Sequence, residues 1–212
     1  MISTRIYNPR YIERTEQTFN RAINQYPRLA TFRFDLRFPA NGEGRCNEYA
    51  ISHFFDSLKY QITALFRDKQ KAGITCDHPT SLRYIWCREY GQQKGNRHYH
   101  VMLLVNKDTF HVLGDYLPHE EGKFCSLANL IQKAWCSTLQ LSWKQFFPLV
   151  SFPGNPCIWI ERNKSVYSGQ YGDAWNRAMY LCKEATKHYG DGRSFGYSQP
   201  DPSVIGRRRK TG

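Results

Sequence analysis

The chain has 212 residues, of which 41% are hydrophobic, and a formal net charge of +12 from 30 Lys and Arg against 18 Asp and Glu. This apolar content is enough for a folded core and excludes wholesale disorder. The basic excess favours a polyanion partner, most often nucleic acid, over a merely solvated surface, because 14 Tyr, 13 Phe and 5 Trp are available to stack on bases.

We expect no membrane contact. No apolar run approaches the roughly 18 residues of a spanning helix, and no basic amphipathic helix stands out. Residues 1–5 lack the apolar segment of a signal peptide. The seven cysteines include no Cys-x-x-Cys pair, so reduced thiols in a cytoplasm fit better than disulfides or a zinc knuckle.

The first predicted elements are a helix, a strand and a second helix. Asn8 suits an N-cap and Pro9 the first helical position, so a helix begins here and ends before Pro27. The period then changes to two, which predicts a half-buried strand over residues 31–38. Residues 47–71 predict a long amphipathic helix. The apolar face of the strand carries Phe32, Phe34, Leu36 and Phe38, and its charged face carries Arg33, Asp35 and Arg37.

The rest of the chain predicts two more strands and then a mixture of helices and strands. Strands at residues 82–90 and 97–105 flank a turn, so they should form an antiparallel pair. The later predicted elements are a helix from Ser126 to about residue 140, a strand at 157–160 and a last helix at 170–189. This order predicts an α+β fold with a ferredoxin- or RRM-like core, in which helices cover one face of an antiparallel sheet.

We expect three regions along the chain. An N-terminal helical extension would occupy residues 1–28, the main domain residues 29–197, and a basic tail residues 198–212. The tail is rich in Pro, Gly and Arg and should be mobile. Its basic run at residues 207–210 suits a phosphate-binding arm and an unbound tail equally well.

Two histidines separated by one residue lie at the start of the strand after the turn. Residues i and i+2 of a strand share a face, so His98 and His100 can hold one cation. Direct pairing across the turn puts Glu89 opposite His98 and Cys87 opposite His100. Glu89, His98 and His100 would then bind Mn²⁺ or Mg²⁺, with Zn²⁺ also open. An isolated His-x-His pair is more often structural, and a slip of one residue would turn Glu89 away.

The last predicted helix carries Tyr180 and Lys183, which at i and i+3 share a helical face. A phenol with a free pKa of about 10 is almost wholly protonated at neutral pH, so its attack on a phosphate needs help. The Lys183 ammonium and a metal-bound phosphate could supply that help. A Tyr and a Lys at this spacing are also common on ordinary amphipathic helices.

These motifs, taken in order, resemble the HUH endonucleases, which include rolling-circle replication initiators. The order is the strand at 31–38, then Glu89, then His98-Tyr99-His100, then Tyr180-x-x-Lys183. Residues 180–187 and the Gly-Asp-Gly-Arg-Ser-Phe-Gly stretch at 190–196 are similar to the inovirus-type replication proteins of filamentous phages and prophages. The resemblance covers residues 29–198. It implies an enzyme of the bacterial cytoplasm that initiates rolling-circle replication of a phage or mobile element.

The resemblance implies a role for each of five residues. Glu89, His98 and His100 would hold a divalent Mn²⁺ or Mg²⁺. Tyr180 would attack a phosphate of single-stranded DNA, leaving a 5′-phosphotyrosine on the protein and a free 3′-hydroxyl. Lys183 would orient the phosphate or the tyrosine, and the reverse reaction would rejoin strands.

Two further tyrosines bear on the roles that the resemblance implies. Tyr99 occupies the middle of the histidine motif, where the family usually has a bulky apolar residue. Its side chain should point to the opposite face of the strand, so the change should be tolerated. Some relatives use two nucleophiles, and Tyr171 is the candidate for a second one here. We favour a single nucleophile.

Several basic and polar residues near these motifs are candidate DNA contacts. They are Lys94, Asn96 and Arg97 beside the metal site, Arg33 and Arg37 on the charged face of the first strand, and Lys187. Solvated charge is the commoner explanation for Arg33 and Arg37. The expected partner is single-stranded DNA from an origin or element end, with a host replication helicase or polymerase as a further candidate.

Two alternatives stay open. The chain could be a non-catalytic, RRM-like nucleic-acid-binding protein whose histidines are structural. It could also be a transposase or plasmid relaxase of the same HUH fold, which only the substrate would distinguish from a replication initiator.

Overall fold

A computed structural model of the chain describes residues 6–91, 97–119, 122–184 and 192–200. Six strands in these ranges form one sheet, in which every strand pair is antiparallel. The strands are β1 (Arg28–Arg37), β2 (Arg83–Tyr90), β3 (Arg97–Asn106), β4 (Val150–Ser151), β5 (Cys157–Glu161) and β6 (Phe195–Tyr197). The helices are α1 (Pro9–Gln25), α2 (Ala50–Lys71), α3 (Leu127–Leu139), α4 (Trp143–Phe146) and α5 (Tyr167–Met179), with short 3-10 helices at Phe147–Leu149 and Tyr180–Cys182.

The strand order of the sheet is β4-β1-β3-β2-β6, and β5 also pairs with β1. The central strands are therefore β1 and β3, which pair along nine residues, from Leu29 opposite Asn106 to Arg37 opposite His98. Helix α2 links β1 to β2, and β3 lies between these two strands. Helix α3 follows β3 and precedes β4. This connectivity confirms an α+β fold built on an antiparallel sheet.

The first face of the sheet is covered by α2 and α3. It carries the apolar side chains that alternate along β1, together with every second residue of β3, and these are buried against both helices. The buried residues include Phe32, Phe34 and Leu36 of β1, Tyr99, Val101 and Leu103 of β3, Phe54 and Leu58 of α2, and Ile131 and Trp135 of α3. The period-two pattern of the sequence therefore predicts this face correctly.

The second face is covered in part by α1 and α5, so the prediction of helices on one face only was wrong. Met102 and Leu104 of β3 are buried there with Phe19 and Ala22 of α1 and Ala174 of α5. The coverage of both faces agrees with the sequence of β3, whose run Val101–Val105 is apolar at every position rather than at every second one. Such a run is typical of a strand covered on both sides.

The helix boundaries agree with the sequence at the N-terminus and differ near the C-terminus. Helix α1 begins at Pro9, and the Asn8 side chain accepts hydrogen bonds from the backbone N–H groups of Arg10 and Tyr11. The last helix ends at Met179, ten residues before the predicted end at 189, and continues only as one 3-10 turn. Residues 185–191 lie outside the described ranges.

The two predicted flanking regions contact the sheet where the structure describes them. Helix α1 shares a core with the second face, so residues 9–25 pack as part of the main body. Ser198, the first residue of the predicted tail, is buried and donates its backbone N–H to the Tyr84 carbonyl. Residues 201–212 lie outside the described ranges. Within those ranges, no helix has both the length and the apolar character required to cross a membrane.

Candidate metal centre and nucleophile

The charged residues of three neighbouring strands meet on the second face of the sheet, beside the part covered by α1 and α5. In the β2–β3 pair, Glu89 lies opposite His98 and Cys87 opposite His100, which confirms the predicted register. In the β1–β3 pair, Asp35 lies opposite His100 and Arg37 opposite His98. Because opposed residues share a face, one imidazole pair is flanked by a carboxylate on each side.

Glu89, His98 and His100 offer three ligand atoms that lie within 4.8 Å of one another. His100 Nε2 is 3.1 Å from Glu89 Oε2 and 3.3 Å from His98 Nε2. Ligands about 2.1 Å from one ion at octahedral or tetrahedral angles are about 3.0–3.4 Å apart, so both distances suit a shared cation. Two imidazoles and a carboxylate also form a suitable donor set for Mn²⁺, Mg²⁺ or Zn²⁺.

The centre is largely withdrawn from solvent. Glu89 is 4% exposed and His100 is 7% exposed, whereas His98 is half-buried. A buried carboxylate is costly unless it meets a cation or hydrogen-bond donors. The imidazole of His100 and a shared cation would both meet that need, so burial supports a binding role for this group.

Asp35 fixes the orientation of His100. Its Oδ1 lies 2.7 Å from His100 Nδ1, which leaves His100 Nε2 directed at Glu89 and His98. Arg33 in turn forms an ion pair with Asp35. A carboxylate that accepts from the second nitrogen of a histidine is the usual outer partner of a metal-binding imidazole.

Burial and polar contacts shift the pKa values of His100 and Asp35 in opposite directions. Burial alone would lower the pKa of His100, but the carboxylates of Asp35 and Glu89 together raise it above its ordinary value. Burial alone would raise the pKa of Asp35, but the hydrogen bond to His100 and the charge of Arg33 lower it. The contact between Asp35 and His100 therefore favours the charged form of each group.

Tyr180 lies against the metal-ligand group. Its ring centroid is 5.4 Å from that of His100, with the two rings edge to face, and the residue is 38% exposed. Lys183 Nζ lies 3.9 Å from the centroid of the Tyr180 ring. Tyr180 and Lys183 therefore lie side by side, as the sequence predicts. They do not share a helical face, because Tyr180 begins the 3-10 turn and Lys183 lies beyond it with an extended backbone.

The segment that carries Tyr180 is held by the residues before α1. Tyr7 forms an antiparallel bridge with Lys183, and the backbone N–H of Asn8 donates to the Cys182 carbonyl. The Asn8 side chain also donates to Glu184 Oε1, 2.6 Å away. The predicted N-terminal extension therefore contributes directly to the position of the candidate nucleophile.

Burial, together with the charge of Glu89, raises the pKa of Tyr180 above its ordinary value. The phenol is therefore protonated at neutral pH before a substrate binds. A cation held by Glu89 would offset part of this effect, because its positive charge would neutralise the nearest carboxylate.

The other sequence candidates separate into three groups. Arg37 is exposed and lies on the same face as His98. Arg33 is buried beside Asp35, and Arg97 stacks on Phe38 and donates to the carbonyls of Cys46 and Asn47, so both have structural partners. Lys94, Asn96 and Lys187 lie outside the described residues.

Tyr171 lies in a different environment from Tyr180. Its ring packs edge to face against Phe19 of α1 and is stacked on Trp175 of α5, in the apolar layer between the two helices. These contacts direct the Tyr171 ring toward α1.

Sequence reasoning missed Asp35 as part of the site. The signal was present, because Asp35 interrupts an arginine pair on the charged face of a strand predicted correctly. Its role depends on β1 lying beside β3, and adjacency between strands so far apart in sequence has no local signature.

The chain was compared with known proteins. A family model described as the YagK/YfjJ C-terminal domain matches residues 3–198. A protein of Escherichia coli (strain K12) named uncharacterized protein YfjJ is 32% identical over 202 residues, which cover 89% of this chain and 93% of that protein. Uncharacterized protein YagK of the same strain is 32% identical over 191 residues, covering 83% of this chain and 86% of that protein. No solved structure matches the chain.

Proposed function

This chain belongs to the YagK/YfjJ C-terminal domain family, and for it we propose a metal-dependent single-stranded DNA endonuclease and strand transferase of the HUH type. The observation that carries the proposal is the contact between Tyr180 and His100, whose ring centroids are 5.4 Å apart. A phenol beside two imidazoles and a carboxylate combines a candidate nucleophile with a candidate cation site. Such a pairing is suited to phosphoryl transfer.

The proposed reaction exchanges one phosphodiester bond for another. The Tyr180 oxygen attacks the phosphorus of a bound strand, the bond from phosphorus to the 3′-oxygen breaks, and the 3′-oxygen leaves with a proton as a free hydroxyl. The product is a 5′-phosphotyrosine, and attack by a 3′-hydroxyl reverses the step. A cation bound by Glu89, His98 and His100 would supply Lewis-acid stabilisation of the phosphate charge.

The chain's own side chains supply orientation and charge for this step. Lys183 lies over the Tyr180 ring, where its ammonium favours the phenolate that forms as the phenol loses its proton. Arg37 lies on the exposed side of His98, where it is suited to a non-bridging phosphate oxygen. Asp35 holds His100 in the orientation that directs Nε2 at the cation site.

The strand order and the charge are consistent with the same proposal. The β-α-β-β-α-β connectivity and the order β4-β1-β3-β2 support the proposal of a ferredoxin-like core. An RRM-like binding module would instead present stacking aromatics on its sheet face. Here that face carries Glu89, His98, His100 and Asp35, which favours the catalytic alternative. The net charge of +12 suits a nucleic-acid substrate.

Formation of a covalent adduct tests the proposal. Single-stranded oligonucleotides from the surrounding genomic element, incubated with the protein and Mn²⁺, should yield a protein–DNA adduct that survives denaturation. Tyr180→Phe should abolish the adduct, because no oxygen remains to attack the phosphate. Tyr171→Phe is the matched control and should keep it, since that ring packs toward α1.

Each outcome has a distinct meaning. An adduct that persists in Tyr180→Phe and is lost in Tyr171→Phe would move the nucleophile to Tyr171. Failure of the wild-type protein to form an adduct on any single strand would overturn the endonuclease proposal. Replication, transposition and mobilisation would be separated by the DNA that the wild-type protein cuts.

A further inference from the structure

A depression adjoins the candidate metal centre on the side of α5. It has a volume of about 570 Å³ and is lined by Pro153 and Gly154, by residues of α5, and by Arg33, His100 and Tyr180. This volume is within the range of about 300–1,000 Å³ found for small-ligand sites. Glu89 and His98 do not line it, so it touches the metal centre only through His100.

Helix α5 directs two polar side chains into this depression. Asp173, Asn176 and Tyr180 are spaced by three and then four residues, so they lie along one face of the helix. The side chains of Asp173 and Asn176 are exposed, and neither side chain forms a hydrogen bond or ion pair within the described part of the chain. Both are therefore available to a ligand one to two turns from the candidate nucleophile.

The charges of the depression match a neutral ligand better than a phosphate. Its two guanidinium groups, on Arg33 and Arg177, are balanced by the carboxylates of Asp35 and Asp173. Both arginines are also engaged, Arg33 with Asp35 and Arg177 with the Asn155 carbonyl. If the phosphate lies at the metal centre, the depression is left for the base of an adjoining nucleotide.

We propose that this depression binds a guanine next to the cleaved phosphate, an inference that rests on the proposed function. The carboxylate oxygens of Asp173 are hydrogen-bond acceptors, and guanine is the base that presents two adjacent donors, N1–H and N2–H, to one carboxylate. The Asn176 amide can donate to guanine O6 at the same time. Cytosine and adenine each offer one exocyclic amine, and thymine one ring N–H, so each would pair less completely.

Sequencing of the adducts tests the base preference. A fully degenerate single-stranded library is incubated with Mn²⁺ and the protein, and the bases flanking the cut are read from the attached strand and from the released 3′-hydroxyl strand. The wild-type protein should enrich guanine at one of these two positions. Asp173→Asn should reduce that enrichment roughly tenfold or more, because a bidentate acceptor becomes a mixed donor and acceptor.

Two further variants complete the design. Asn176→Asp should also reduce the guanine enrichment, since it removes the donor to O6 and adds a second negative charge. Asp68→Asn makes the same chemical change on α2, across the sheet, and should leave the preference unchanged. A role of Asp173 in folding alone would alter the adduct yield but not which base is enriched.

The outcomes separate this inference from the proposal on which it rests. Adducts with equal guanine enrichment in the wild type and Asp173→Asn would overturn the guanine pocket and leave the endonuclease intact. Adducts enriched in another base, or in none, at both flanking positions would also overturn it. Complete absence of adducts from the wild-type protein would overturn both the guanine pocket and the endonuclease proposal.

Discussion

The Asp35 carboxylate determines which nitrogen of His100 faces Glu89 and His98, the other members of the candidate metal centre. Its hydrogen bond to Nδ1 is 2.7 Å long, and Nε2 is left between Glu89 and His98. The sequence alone predicts Glu89 as a partner of the histidines, because a hairpin fixes which residues face each other across it. Asp35 could not be assigned in this way, since β1 and β3 become neighbours only through the fold of the whole sheet.

Asp35→Asn should therefore weaken metal binding without removing a ligand. The amide is neutral and can turn its N–H₂ toward Nδ1, so the orientation and basicity of His100 both suffer. Loss of such an outer partner typically lowers metal affinity by about 10- to 100-fold. Isothermal calorimetry with Mn²⁺ measures this change.

Two control variants are measured by the same calorimetry, one expected to bind Mn²⁺ normally and one expected not to bind it. His53→Ala, on the exposed surface of α2, should bind Mn²⁺ like the wild type, whereas His98→Ala should show no measurable site. Unchanged affinity in Asp35→Asn would mean that packing alone orients His100. Unchanged affinity in His98→Ala would contradict the metal centre itself.

At the scale of elements, the periodicity of the sequence predicted the bounds of most helices and strands to within a few residues. Where a bound differs, contacts with distant parts of the chain account for the difference. The last helix was expected to reach residue 189, but it ends at Met179, and Lys183 leaves it to pair with Tyr7. Helical spacing continues through residues 180–183, so the sequence gives no sign of the change. The bridge to Tyr7 depends on α1 packing against the sheet, which local patterns do not encode.

The short strand β6 depends on a glycine. Gly196 lies on the buried indole of Trp86, and a Cβ at this position would be about 2.5 Å from the ring atoms. Gly196→Ala should lower the free energy of unfolding by about 1–3 kcal/mol, because either the ring or the strand must move in a packed region. Urea denaturation measures the loss as a lower midpoint.

Gly169→Ala is the matched control for this substitution. Gly169 lies in α5, and a Cβ there would meet nothing within 4 Å. Alanine also favours a helix over glycine, so this variant should be as stable as the wild type or more stable, by up to about 1 kcal/mol. Equal midpoints for Gly196→Ala and the wild type would show that β6 can shift away from Trp86 at little cost.

For the whole molecule, the sequence predicted the α+β class but not the two-sided coverage of the sheet. The apolar run of β3 indicates that this strand is covered on both sides, but it does not indicate which helices cover the second face, because α1 and α5 lie far from β3 in sequence. The charge of +12 is a property of the entire chain and depends on no register or contact. The net charge therefore supports a separate prediction, which concerns how the affinity for single-stranded DNA depends on salt.

Affinity for single-stranded DNA should fall steeply with salt. Each phosphate contact lowers the slope of log affinity against log salt by about 0.7 for single strands. Fluorescence anisotropy with Tyr180→Phe, which binds without cutting in the proposed mechanism, measures that slope. Adding Arg37→Gln should make the slope shallower by about 0.7, since one phosphate contact is lost.

Arg67→Gln provides the matched control for this measurement. Arg67 is exposed on α2, across the sheet from the metal centre, so its loss should leave the slope nearly unchanged. Equal slopes for the Arg37 and Arg67 variants would mean that Arg37 does not contact the strand. A slope near zero for Tyr180→Phe alone would exclude phosphate contacts as the main source of affinity.

The bond between Asn8 and Glu184 joins positions 176 residues apart. A ribosome makes the metal ligands well before it makes Tyr180, and it makes the phenol before Glu184 is available to be held by Asn8. A nascent chain that stops before Glu184 lacks this support for the segment that carries Tyr180. The proposed cutting chemistry should therefore need synthesis to extend past Glu184.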